Sequence, residues 1–214
     1  MKKIVLLLCV FTFIGCQNEN KNAASESQTS DTNQTESTVV STASNNMLAY
    51  NPAKTILKWT AYKNPEKIGV QGTFDSIVVR NTNESVIPED VLEGANFNIT
   101  TSSMTTGDQS RDAKILSLFF NNLESRNIIG QFGEFNNGIV PVKITMNNIE
   151  ATKEFQYTFE NTKIIITGVI DIIDDFKAVK GFDILHDACA ALHLDKTWTD
   201  VSIEIISDLE KPRS

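Results

Sequence analysis

The sequence predicts a mainly β fold, an antiparallel barrel or sandwich with two accessory helices. Three observations carry this. Apolar and polar residues alternate with period two through most of the chain from Met47 onward, short polar breaks separate the alternating runs, and only two segments show helical spacing instead. Each alternating run has one dry face and one wet face, as antiparallel strands do when a single face is buried.

In LKWTAYKNPEKIGVQGTFDSIVV, Leu57 to Val79, the break Asn64-Pro65-Glu66-Lys67 parts two sheet-like runs. Leu57, Trp59 and Ala61 alternate with Lys58, Thr60 and Tyr62, and Val70, Gly72 and Phe74 with Gln71, Thr73 and Asp75. Phe97 and Ile99 continue the series, followed by Val140, Val142, Ile144 and Met146, then Phe155, Tyr157 and Phe159. Ile164 to Ile173 is more continuously apolar, and Val201, Ile203 and Ile205 close the series. Seven or eight strands result. Ile115, Leu116, Phe119, Phe120 and Leu123 recur at helical steps within Ser110 to Leu123, with Asp108 or Ser110 as the cap. Phe182, Leu185, Cys189 and Leu192 do the same within Ala178 to Leu194.

The first residues read as a targeting segment. Lys2 and Lys3 precede an apolar run, Ile4 to Ile14, that is too short for a stable membrane span. Phe13-Ile14-Gly15-Cys16 resembles the lipobox of bacterial lipoproteins, which implies cleavage after residue 15 and acylation, palmitate included, at Cys16. Gln17 in the next position favours the outer membrane by the same resemblance, facing the periplasm, with surface exposure left open. With Cys9 removed and Cys16 lipidated, Cys189 has no intramolecular disulfide partner. Residues 16–46 hold almost only Asn, Ser, Thr, Gln, Glu and Ala, which cannot offset the entropy of ordering; they form a tether with a reach of roughly 30 Å. Residues 47–214 are one domain.

The formal net charge is −8. Without the two signal lysines, 17 basic residues face 27 acidic ones. Such a surface repels phosphate backbones, which argues against a nucleic-acid partner.

Trp59, then Val70-Gln71-Gly72-Thr73-Phe74, then Thr106-Gly107-Asp108-Gln109-Ser110-Arg111-Asp112 leading to Phe119-Phe120, then Lys143-Ile144-Thr145-Met146 and Ile166-Thr167-Gly168 resemble, in order and spacing, the YceI-like family. The likeness covers roughly residues 50–208. It implies a mainly β, eight-stranded antiparallel lipocalin-like barrel with an apolar tunnel for a long polyisoprenoid, in an exported bacterial protein. The helix before Thr197, and an Arg111 to Phe119 spacing about one residue short, depart from the family pattern at the barrel ends.

Under that resemblance and the alternation, Leu57, Trp59, Val70, Phe74, Phe97, Ile99, Val142, Ile144, Phe155, Tyr157, Ile164, Ile166, Val201 and Ile203 point into the barrel. An eight-stranded barrel is wide enough either to be filled by side chains or to hold one slender ligand. Gly72 and Gly168 would leave room for a ligand, though strand glycines also mark bulges. Whether one barrel or a homodimer shields a long tail stays open. Arg111 is the candidate for the head group, donating to a carbonyl or phosphate; the alternative ties Arg111-Asp112 to the helix start.

His186, Cys189 and His193 fall within about 60° on a helical wheel, a candidate metal face, although Cys189 packing as a small hydrophobe explains the pattern equally. Asp171, Asp174 and Asp175 read as a solvated turn. No Gly-x-Ser-x-Gly, phosphate-cradling loop or histidine with a nearby partner suggests an enzyme or a cofactor. The expectation is a lipid-binding, sequestering or transporting lipoprotein of the cell envelope. The alternative is a barrel plugged by its own side chains that serves as an interaction or envelope-stress module, with or without a metal at the Cys189 helix.

Overall fold

A computed structural model describes residues 46–212. The signal segment, Cys16 and nearly all of the tether lie outside them. The described chain forms an antiparallel curled sheet of ten strands with three short α-helices. The strands are β1 (Thr55–Lys63), β2 (Ile68–Phe74), β3 (Ile77–Arg80), β4 (Asn96–Thr100), β5 (Met104–Thr105), β6 (Asn127–Phe132), β7 (Ile139–Met146), β8 (Ile149–Glu160), β9 (Lys163–Asp171) and β10 (Thr197–Asp208). Helix α1 spans Pro88–Leu92, α2 Gln109–Lys114 and α3 Val179–Cys189.

Ten strands replace the eight expected because two of them break at a corner. β2 pairs with β5 while β3 pairs with β4, so β2–β3 and β4–β5 are two bent strands lying side by side. At the bend, the Asp75 amide donates to the Ser103 carbonyl and the Thr100 amide to the Ser76 carbonyl. These bonds join the two ends of the sheet order β3-β4-β6-β7-β8-β9-β10-β1-β2-β5.

β6 was not among the expected strands. Gly130 interrupts its apolar alternation, yet Ile128, Gly130 and Phe132 complete the wall between β4 and β7. Helix α1 is also absent from the sequence reading; it is five residues long, begins at Pro88 and buries Val91 and Leu92. The tight turns use asparagine in the left-handed region. Asn147 and Asn148 (φ 53° and 59°) form the two-residue connection between β7 and β8, a geometry Asn tolerates better than most residues.

The glycines in the wall serve a purpose other than the one expected. A Cβ at Gly72 would lie 2.3 Å from Cζ2 of Trp59, and one at Gly168 would lie 2.4 Å from Cδ1 of Phe155. Each glycine lets an aromatic ring on the neighbouring strand lie flat across it. The space belongs to the protein's own side chains. Gly130 likewise sits beneath Phe97.

The first predicted helix is three shorter pieces: α2, a wider π turn over Ile115–Phe119, and a 3₁₀ turn over Phe120–Asn122. The π turn adds a residue to the circuit, so Ile115, Phe119 and Phe120 all face the barrel. Asp108 caps α2, its Oδ1 accepting from the amides of Ser110 and Arg111. Asp112 ties the helix to β5: Oδ1 accepts from the Thr106 amide (2.8 Å) and hydroxyl (2.6 Å), and Oδ2 from the Thr105 hydroxyl (3.0 Å).

The Asp171 turn is a hydrogen-bonded corner rather than a solvated loop. Asp171 accepts from the amides of Ile173 and Asp174 and from the Thr199 hydroxyl. Asp175 accepts from the Asp171 amide and pairs with Lys153 at 2.9 Å. Desolvation opposes charge on Asp112 and Asp171, but their hydrogen bonds, with Arg111 or Lys153 nearby, hold both carboxyls below the usual range. A lowered folded-state value means that this stabilisation is present above the ordinary aspartate value of ~3.9 and is lost as pH falls through the folded value. In denaturant melts the contribution of these two aspartates is therefore expected to be constant from pH 7 to 5 and to be lost below pH ~4. Asp112→Ala should remove about 2 kcal/mol at pH 7 and flatten the acid limb.

Candidate functional site

The inner face of the barrel holds two separate cavities. The larger, of about 140 Å³, is almost wholly apolar; Trp59, Ala61, Phe74, Ile128, Met146, Ile170, Val201 and Ile203 come from strands. Its roof comes from Ile115, Phe119 and Phe120 of the π segment and from Phe182 and Leu185 of α3. The smaller, about 40 Å³, lies at the other end of the barrel among Tyr50, Leu57, Val79, Leu92, Phe97, Ile99, Phe132 and Ile205.

Between them the interior is packed. Val142, Phe155, Ile164 and Ile166 are fully buried, and Ile144 and Tyr157 nearly so. Of the fourteen residues expected to face inward, Trp59, Phe74, Val201 and Ile203 wall the larger cavity, while Leu57, Phe97 and Ile99 wall the smaller one. Val142, Ile144, Phe155, Tyr157, Ile164 and Ile166 form the packed middle. Val70 lies at the mouth.

That mouth is a depression of about 390 Å³ adjoining the larger cavity through shared walls at Trp59, Ala61, Ile115, Leu185 and Thr197. Its polar lining includes Lys63, Arg111, Lys114, His193 and Asp108. Arg111, the head-group candidate, lines this mouth, while Asp112 anchors the helix. Among the described residues Arg111 forms one ion pair, a half-exposed contact to Asp108 at 3.6 Å, weak in water. Lys63 and Lys114 were missed, although both were legible. Lys63 continues the inward parity of Leu57, Trp59 and Ala61, and Lys114 lies three residues from Arg111 on one helix.

His186 and His193 both direct Nδ1 at the Thr197 hydroxyl, at 3.0 and 3.4 Å. His186 also stacks on Phe182, with ring centroids 6.0 Å apart. Cys189 is buried as a free thiol. Among the described residues no three His, Cys, Asp or Glu side chains converge as a metal site, so the wheel geometry of His186, Cys189 and His193 does not become a ligand set. Burial, then the charges of Lys63 and His186, push the His193 imidazole below its ordinary value. The neutral form therefore persists to a lower pH than in a free imidazole.

Two buried polar atoms lack partners among the described residues, Nε1 of Trp59 and Oδ1 of Asn64. Trp59 is only 8% exposed and walls both the cavity and the mouth.

Comparison with solved structures identifies the architecture. A polyisoprenoid-binding domain from Saccharophagus degradans, implicated in plant cell wall breakdown, superposes with a TM-score of 0.57 at 13% identity, covering 78% of this chain and 99% of that one. The chain has that domain's fold. It is the YceI-like fold that the sequence motifs point to. Burkholderia cenocepacia BcnA superposes at TM-score 0.51 and 12% identity, over 75% of this chain and 99% of its own. A Campylobacter jejuni YceI protein matches at TM-score 0.47 and 13% identity, over 68% of this chain and 86% of its own. No family model and no curated protein sequence matches this chain. At such identities the YceI-like fold is shared while most side chains in the cavity and mouth are free to differ.

Proposed function

We propose that the protein binds a long apolar lipid of the isoprenoid or quinone type, with the chain in the larger cavity and the head group at the mouth. The observation that carries this reading is an apolar cavity adjoining a mouth that holds Lys63, Arg111 and Lys114. Apolar burial contributes about 25 cal/mol per Å², so a lipid that buried several hundred Å² would reach micromolar or tighter binding without many polar contacts. Cationic donors at the mouth suit an oxygen-rich or anionic head group. The unpartnered Nε1 of Trp59 adds a buried donor that a ligand oxygen would satisfy. Binding at this site would keep an insoluble lipid out of water in the cell envelope, with acylated Cys16 and the tether of residues 16–46 holding the domain at the outer membrane.

A cavity of roughly 150 Å³ holds a benzene-sized group, so the 140 Å³ seen here accepts only one end of such a lipid. A longer chain requires the roof, Ile115 to Phe120 with α3, to move outward. The packed middle of the barrel favours a second reading, in which the interior stays plugged and the outer surface does the work.

Extraction and mass spectrometry of detergent-free protein exported from a bacterial host separates the two. A near-stoichiometric prenyl lipid or quinone is expected, and Arg111→Glu should reduce its recovery without unfolding the barrel. Stable protein with no lipid would favour the plugged barrel. Unchanged recovery from Arg111→Glu would remove that residue from the site.

A further inference from the structure

The turn that follows α3 has no role in walling the cavity, yet it presents apolar side chains to water beside the mouth. Leu192 and Leu194 are 68% and 63% exposed, more than any other large hydrophobic residue among those described. They are held there by a hydrogen-bonded turn. The His193 amide donates to the Cys189 carbonyl, the Asp195 amide to Ala190 and the Lys196 amide to His193. Leu194 and Asp195 both take positive φ, 52° and 57°, a conformation that bulky residues rarely adopt and that keeps the turn protruding.

Basic side chains gather beside the turn, although the chain as a whole carries −8. Lys63, Arg111 and Lys114 line the mouth, and Lys63 and Lys114 make no ion pair among the described residues. Trp198 is flanked by ammonium groups, Lys196 at 4.4 Å and Lys67 at 4.7 Å from its ring. The nearby acidic groups are Asp195, exposed on the same turn, Asp108, paired to Arg111, and Asp112, beside Arg111 on α2, while Lys67 is paired to Asp200.

We propose that this turn is a lip that inserts Leu192 and Leu194 into the surface of an anionic bilayer and seats the barrel mouth against it. Exposed leucines with lysines beside them at one edge are a combination that interfacial segments use, the apolar groups entering the acyl boundary while the cations meet anionic head groups. A small protruding tip suits a fluid surface better than a shaped protein partner, which would need a broad complementary face. This contact is distinct from a lipid anchor at Cys16. It would orient the domain, whereas a tether only keeps it nearby.

The test uses the chain from residue 17 onward, which lacks Cys16; every described strand and every core residue lies downstream of that point. Its co-sedimentation with vesicles of phosphatidylcholine, with and without phosphatidylglycerol, is compared with that of variants. Wild type is expected to bind the phosphatidylglycerol vesicles and to be released by salt. Leu192→Ser with Leu194→Ser should weaken binding by about tenfold or more. Val86→Ser with Ile87→Ser, exposed near the opposite end of the barrel, should not. If circular dichroism shows the leucine variant to be misfolded, Lys196→Glu decides by the same readout. No binding of wild type to phosphatidylglycerol vesicles, or binding indifferent to both lip variants, overturns the proposal. The readout is partition of the protein, so it stands whatever lipid the cavity holds.

Discussion

Ala61→Trp is expected to cut lipid loading sharply while leaving the barrel folded. Ala61 walls both the larger cavity and the mouth, between Val70 on β2 and Val201 on β10. An indole there points into a void of about 140 Å³, large enough for an aromatic group without displacing backbone. A ligand denied even one aromatic-sized segment of burial loses about 1.5–3 kcal/mol, roughly 10- to 150-fold in affinity. The measurement is the lipid-to-protein ratio by mass spectrometry after identical expression. Val169→Trp is the control, because Val169 is 52% exposed on the outer face of β9. Equal loading of wild type and Ala61→Trp would place any bound lipid outside this cavity.

Gly130→Ala should cause the largest loss of stability among the wall glycines. A Cβ there would sit 2.2 Å from the carbonyl oxygen of Lys143 and 2.3 Å from Cζ of Phe97. The first contact is backbone on the paired strand β7, so relief requires opening the ladder itself. At least about 3 kcal/mol is expected, the upper range for overpacking, or a fall in Tm of roughly 6–12 °C for a domain of this size. Gly168→Ala makes a useful contrast. Its three nearest clashes are all with the ring of Phe155, so combining it with Phe155→Leu should cost less than the two single changes added together. Thermal melts of the four variants would show whether ring or backbone sets the cost. A Gly130→Ala protein that melts with wild type would mean that β6 and β7 are less tightly paired than the register implies.

The inward parity of β1, β7, β8 and β10 was legible because each strand buries one face and wets the other. That alternation needs no knowledge of neighbours. It also ran further than it was followed: Lys63 and Lys153 share the inward parity of their strands, the first at the mouth and the second pairing with Asp175. β6 was hidden because Gly130 has no side chain to register in a pattern of apolar residues. Asp112 was legible as a helix-start residue, but the acceptors it offers to Thr105 and Thr106 depend on where the chain turns back after β5.

By itself the sequence determined the mainly β class, the dry face of most strands and, through its motif order, the YceI-like architecture. Local periodicity encodes which face of a strand avoids water. Only the tertiary structure decided what fills the barrel. Whether Gly72 and Gly168 make room for a ligand or for Trp59 and Phe155 depends on which residues stand opposite across the ladder. It also brought Lys63, Arg111, Lys114 and His193 to one mouth from β1, α2 and the turn after α3. No local pattern links residues so far apart in the chain, because their proximity follows from closure of the sheet.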